Sequence, residues 1–154
     1  MPTSIRRAVS ADAELVLTLM LELAGYQDEA KYVTATVPDW QDYLSRPEVV
    51  VLLAEVDGTP AGYVSALRRP YLWVGGDQLA LDDLYVRSQF RDGGIGRALM
   101  LELARLGLPE RLPIGWGLRL DNEAGYRFYE RLGAKLVTKT AASWSADTYE
   151  KLLS

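Results

Sequence analysis

The most constraining part of this chain is the stretch from Gln78 to about residue 120. Gln78–Val86 alternates as a strand should. It is followed by the glycine-rich run Arg91-Asp92-Gly93-Gly94-Ile95-Gly96, by a helical pattern from about Gly94 to Leu106, and by a second strand near 112–120. A strand, helix, strand order of this length requires a crossover, and a crossover joins parallel strands. The residues before it say the opposite. The β-rich run Val49–Ala54 ends at the turn signal Asp57-Gly58, another strand spans about 61–69, and Gly75-Gly76 marks a second turn. Such short turns join antiparallel strands. The chain is therefore expected to build one mixed sheet, mostly antiparallel with a parallel pair at one side, in an α/β (α+β) fold.

The remaining segments supply helices and edges. Residues 4–9 read as a strand. Ser10 is expected to cap a helix over about 11–24, with Leu15, Leu19 and Leu23 on one face and Gly25 ending it. Pro38-Asp39 starts a short helix that stops near Arg46-Pro47. A helix is expected from Asn122 to Leu132, and two last strands near 134–140 and 143–152. No repeat or long linker interrupts the pattern, so residues 1–154 are read as one domain. In strand 78–86, Leu81, Asp83 and Tyr85 are expected on one face and Ala80, Asp82, Leu84 and Val86 on the other. A bulge would break that assignment.

Composition narrows the chemistry. The chain has no Cys and no His. A thiolate nucleophile, a disulfide framework, the usual general base and the commonest metal ligands are all missing, so no metal centre is expected. Carboxylates, Tyr, Ser/Thr, Lys/Arg and backbone groups remain. The net charge of −4, from 21 acidic and 17 basic residues, argues against a nucleic-acid partner. Neither an apolar run long enough to span a membrane nor a secretion-signal pattern is visible, which points to a cytoplasmic protein.

Gly93, Gly94 and Gly96 let backbone approach a ligand, and they open a helix whose first N–H groups favour an anion such as a diphosphate. Arg91 and Arg97 add positive charge. Glycine turns before helices also occur with no ligand. Gly96-Arg97-Ala98 lacks the Lys-Ser/Thr of a P-loop, and Gly94-Ile95-Gly96 lacks the third glycine of a dinucleotide fingerprint. What Arg91-x-x-Gly94-x-Gly96 resembles is the R/Q-x-x-G-x-G/A signature of the GNAT superfamily of N-acetyltransferases. Asp92 departs from it, placing an acid where a neutral or basic residue is usual.

A second segment, Asn122-Glu-Ala-Gly-Tyr-Arg-Phe-Tyr129 through Gly133-Ala134, resembles that family's N-x-x-A-x-x-x-Y-x-x-x-G-F/A motif, with Gly125 for the typical Ala and Ala134 for the commoner Phe. Asn122 also reads as a plain N-cap, and Tyr129 as a core aromatic. Ile5–Ala8 and Asp12-Ala13 are similar to the family's opening strand and helix. The resemblance implies a central sheet of six to seven strands flanked by about four helices, a homodimer, and acetyl-CoA as cofactor. It implies cofactor contacts from Leu84, Tyr85, Val86, Arg91, Asp92, Gly93, Gly94, Ile95, Gly96, Arg97, Asn122 and Tyr129. Leu81–Val86, Glu22–Tyr26 and Ser143-Trp144 look like the diamine (spermidine/spermine-type) branch.

Within that resemblance Asp82 is the expected base, where the diamine branch has Glu, and Tyr129 the expected acid. Asp83, Tyr26 and Trp73 are expected to bind a small-molecule amine, since carboxylates and aromatic faces both attract ammonium groups. Each also reads as an ordinary loop or strand residue. A peptide or protein amine as substrate, and a non-catalytic acetyl-CoA-binding module, remain alternative readings.

Overall fold

In a computed structural model, which describes residues 2–154, the apolar run Val49–Val56 forms β2, and Asp57-Gly58 turn it into β3, Thr59–Pro70. Both turn residues have positive φ, 50° and 79°, as a tight hairpin requires. Gly75 and Gly76, with φ of 83° and 70°, lead in the same way into β4, Asp77–Val86. β1, Thr3–Arg7, pairs antiparallel with β2. β5, Ile114–Gly115, pairs parallel with β4. The sheet order is β1-β2-β3-β4-β5, so the mixed, mostly antiparallel sheet is as expected.

Five helices accompany the five strands among the described residues: α1 (Ala13–Tyr26), α2 (Val37–Ser45), α3 (Ile95–Gly107), α4 (Glu123–Arg131) and α5 (Ala146–Leu153). The chain groups into two units, Met1–Gly117 and Leu118–Ser154. The first holds the whole sheet with α1, α2 and α3; the second holds α4 and α5.

In the first unit, Val16, Leu19 and Leu23 of α1 and Leu44 of α2 bury against Val51, Leu53, Tyr63 and Tyr85 on one face of the sheet. α3 covers the other face, turning Ile95, Leu99, Met100 and Leu103 inward. Its last residue, Gly107, approaches the Leu79 side chain so closely that a Cβ there would sit 3.5 Å from Leu79 Cδ1.

Several expectations are corrected. Ser10 does not cap α1: its hydroxyl donates to the Gln41 carbonyl (2.7 Å), and Asp12 takes the Val9 N–H and the Arg6 guanidinium instead. Gly25 lies inside α1, which ends at Tyr26; Asp28, at φ 58°, takes the left-handed position after it. Short polar residues tolerate that conformation best after glycine.

The strand expected at 112–120 is reduced to two residues, and those expected near 134–140 and 143–152 do not form. Sheet strands need a ladder, whereas local signals suffice for a helix. Ser145 accepts the Thr148 N–H, Asp147 lies in the first turn and Lys151 in the last, so the final segment becomes α5. Five strands stand in place of six to seven, and five helices in place of about four.

Candidate active site

The site begins with a fault in the β3–β4 ladder. Ser65 pairs with Asp83 and Ala66 with Leu81, leaving Asp82 as the extra residue. That bulge overturns the expected faces. Asp83 and Tyr85 now share the α1–α2 face with Tyr63 and Ser65, while Leu81 moves to the α3 face with Leu84 and Val86.

The bulge separates the two acids chemically. Asp82 is exposed, yet the surrounding protein raises its carboxyl above the ordinary value by desolvation, against the pull of Arg69. Asp83 is half-buried and is also raised, mainly by desolvation. The Tyr63 hydroxyl, donating to Asp83 Oδ2 at 2.9 Å, opposes that rise, and the charge of Asp82 adds to it. The Asp83 N–H donates to Ser65 Oγ at 3.2 Å, so the disturbed ladder leaves this donor satisfied. Tyr63 is fully buried and its phenol is pushed far up by burial and by Asp83. It therefore stays protonated and donates to Asp83.

Beyond the bulge, β4 outruns its parallel neighbour. The β4–β5 ladder holds only Leu79↔Ile114 and Ala80↔Gly115. The Asp83 N–H and the Arg87 N–H, which donates to the Ala61 carbonyl at 2.8 Å, both point toward β3. By alternation the Leu84 and Val86 N–H groups point away from β3, toward the side where no strand pairs with this part of β4 among the described residues. Two backbone donors thus follow the two acids along one strand.

That strand runs into the glycine loop. Asp92 (φ 64°) and Gly94 (φ 81°) both adopt left-handed backbone, and Gly94 is the N-cap of α3. Its carbonyl accepts from Ala98 N at 2.9 Å, which leaves the N–H groups of Ile95, Gly96 and Arg97 without acceptors inside the helix. No acid occupies the first turn of α3, and Asp92 is exposed just before it. Left-handed residues interleaved with free amides form an anion-binding concavity. The loop as folded therefore fits a diphosphate. Arg91 donates from Nε to the Val86 carbonyl at 3.0 Å, and its guanidinium lies 4.8 Å from the centre of the Tyr26 ring.

Tyr26 thus sits at the loop. Trp73 is 97% exposed at the tip of the β3–β4 connection, and four residues of β4, Gln78 to Leu81, still separate Asp77 from Asp82. The structure does not bring these two aromatics together.

In the second unit, Asn122 is the N-cap of α4, its Oδ1 accepting the Gly125 N–H at 2.9 Å. A Cβ on Gly125 would lie 2.6 Å from Asn122 Nδ2, so an alanine there would require the Asn122 side chain to shift. Tyr129 is buried, and burial raises its phenol, so the group is protonated at neutral pH.

Sequence reasoning passed over Tyr63, Ser65 and Gly62. It also missed that Glu22 receives the Tyr85 hydroxyl (3.2 Å) and a two-nitrogen contact from Arg87 (2.9 and 2.8 Å). A bulge leaves no trace in a period-two pattern, and these partners are distant in sequence. Only the opposite charges of Glu22 and Arg87 carried a signal of their pairing.

The family model for the Acetyltransferase (GNAT) family matches residues 16–134. A thialysine N-epsilon-acetyltransferase of Caenorhabditis elegans is 26% identical over 129 residues, covering 83% of this chain and 80% of that protein. Among solved structures, an aminoglycoside acetyltransferase from an uncultured soil metagenomic sample superposes with a TM-score of 0.81 at 18% identity, over 94% of this chain and 100% of that one. AAC(6')-Iy, solved in complex with the bisubstrate analogue CoA-S-monomethyl-acetylneamine, gives 0.75 at 19% identity, over 94% and 99%. With the loop, the matched family and the shared fold in view, this chain belongs to the GNAT family and is an N-acetyltransferase that uses acetyl-CoA.

Proposed function

We propose that the acetyl acceptor is a small primary amine, of the polyamine, diamine or lysine-like class, and that Asp82 takes its proton. The observation that carries this reading is the Asp82–Asp83 bulge, which offers one exposed and one half-buried carboxyl, both with raised affinity for protons, in a chain without His. An alkylamine has a pKa near ~10.4 and arrives protonated, so a base must deprotonate it before it can attack. A carboxyl raised toward neutrality is a better proton acceptor than an ordinary one. The similarity to a thialysine acetyltransferase supports a lysine-like amine.

In this reading bound acetyl-CoA supplies the activated thioester. Arg91, Asp92, Gly93, Gly94, Ile95, Gly96 and Arg97 hold its diphosphate, with Asn122 completing the family's second motif. The Leu84 and Val86 N–H groups, flanking Tyr85, orient and polarise the thioester carbonyl. Asp82 accepts the ammonium proton, directly or through one water. Asp83 holds the substrate's positive charge, and Tyr129 Oη donates a proton to the departing sulfur. The working unit in this reading is a cytoplasmic homodimer, which light scattering on the purified protein would check.

The test is release of free thiol from acetyl-CoA against polyamines, diamines, lysine analogues, amino acids, aminoglycosides and short peptides, with products weighed by mass spectrometry. Selective turnover of the diamine or lysine-like group is expected. Turnover confined to peptides or aminoglycosides would overturn the substrate assignment.

A further inference from the structure

The last turn of α1 carries two residues that reach across to the end of β4 and the loop after it. Glu22 takes Arg87 and the Tyr85 hydroxyl. Four residues later, on the same side of the helix, the Tyr26 ring lies against Arg91. Tyr26 is 72% exposed, so no core packing explains its position. What it touches is the guanidinium, 4.8 Å from the ring centre, a contact of the cation–π type. The Val86 carbonyl fixes the same guanidinium through Nε. Arg91 Nη1 and Nη2 make no hydrogen bond among the described residues. The side chain is therefore held at two points while its two outermost nitrogens stay available for an anion.

We infer that Tyr26 is a positioning residue for the cofactor: its ring, with the Val86 carbonyl, holds the Arg91 guanidinium ready for the diphosphate of coenzyme A. This rests on the reading of the glycine loop as the diphosphate site. The physical reason is entropic. A free arginine side chain must give up rotamer freedom when it binds an anion, and one already held in place gives up less. Tyr26 thus serves the cofactor half of the site rather than the amine half.

The experiment compares Tyr26→Leu, Tyr26→Phe, Arg91→Ala and the Tyr26→Leu/Arg91→Ala double variant by equilibrium binding of coenzyme A and by thiol release from S-acetylpantetheine, which lacks the diphosphate. Tyr26→Leu is expected to weaken coenzyme A binding about two- to fivefold. Tyr26→Phe keeps the ring face and should bind as the parent does. In the Arg91→Ala background the loss on Tyr26→Leu should disappear, and turnover of S-acetylpantetheine should not change. Unaltered coenzyme A binding in Tyr26→Leu, a loss that persists without Arg91, or an equal loss with S-acetylpantetheine would overturn the inference. If Arg91→Ala itself binds coenzyme A normally, the loop reading fails first, and that result is separate from the other three.

Discussion

Asp82 and Asp83 are neighbours in sequence, but one residue of extra strand gives them different surroundings. Asp82 stays at the surface beside Arg69, whereas Asp83 sits half-buried under the Tyr63 hydroxyl. Both bind protons more tightly than free aspartate, whose pKa is ~3.9. If Asp82 is the base, it works only when ionised. The acidic limb of kcat/KM should then fall at a pH above that of free aspartate. Asp82→Asn should lower kcat/KM by about 10²–10⁴-fold and flatten that limb. A pH–rate profile of the parent and the variant checks both points, and an unchanged limb in Asp82→Asn would assign the titration elsewhere.

At the scale of elements, β4 is positioned by a glycine that sequence patterning gave no reason to single out. Gly62 faces Val86 across the ladder, and a Cβ there would lie 2.3 Å from the Tyr85 carbonyl oxygen and 3.0 Å from Val86 Cα. Gly62→Ala must push the end of β4 away, and with it the Leu84 and Val86 amides. It should cost roughly 1–3 kcal/mol of stability, as overpacking does, and it should lower turnover as well. A urea denaturation midpoint and a thiol-release rate measure the two effects.

The contrast shows which parts of the molecule were legible beforehand. Asp57-Gly58, Gly75-Gly76 and the Arg91–Gly96 run each carry their instruction locally, and the hairpins, the crossover and the loop formed where they were read. The bulge at Asp82 arises from how β4 is matched against β3, so no window of sequence contains it. The same holds for the contact between Tyr26 and Arg91, which is set by where α1 ends. The strands expected after residue 133 failed for a related reason. A strand exists only with a partner, and Ser145 with Thr148 offered the final segment a helix that needed none.

For the molecule as a whole, stability against acid depends on groups shifted in opposite senses. Arg87 holds the Glu22 carboxyl below its usual range, and Arg6 does the same for Asp12, in each case against the cost of burial. A depressed carboxyl stabilises the fold above its unfolded pKa, ~4.3 for Glu and ~3.9 for Asp, and that contribution is lost as pH falls through the folded value. Asp82 and Asp83 run the other way. Their raised values favour the fold at low pH, and this is lost as pH rises through them. Urea midpoints taken from pH 7 downward should therefore fall more gently in Glu22→Gln, which gives up the acid-sensitive pair, and more steeply in Asp83→Asn. Identical slopes in parent and Glu22→Gln would remove the Arg87–Glu22 pair from the account.

The inserted residue in β4 has a consequence for how such a protein can change. Removing Asp82 would join Leu81 directly to Asp83 and restore an unbroken ladder opposite Ser65 and Ala66. The shortened chain would own a more regular sheet and no proposed base. With Asp82 as the base, selection for heat resistance alone, in a library that samples single-codon deletions, would be drawn toward a more regular but inert molecule. If Asp82 is the base, the irregularity should persist only where acetyl transfer is itself under selection.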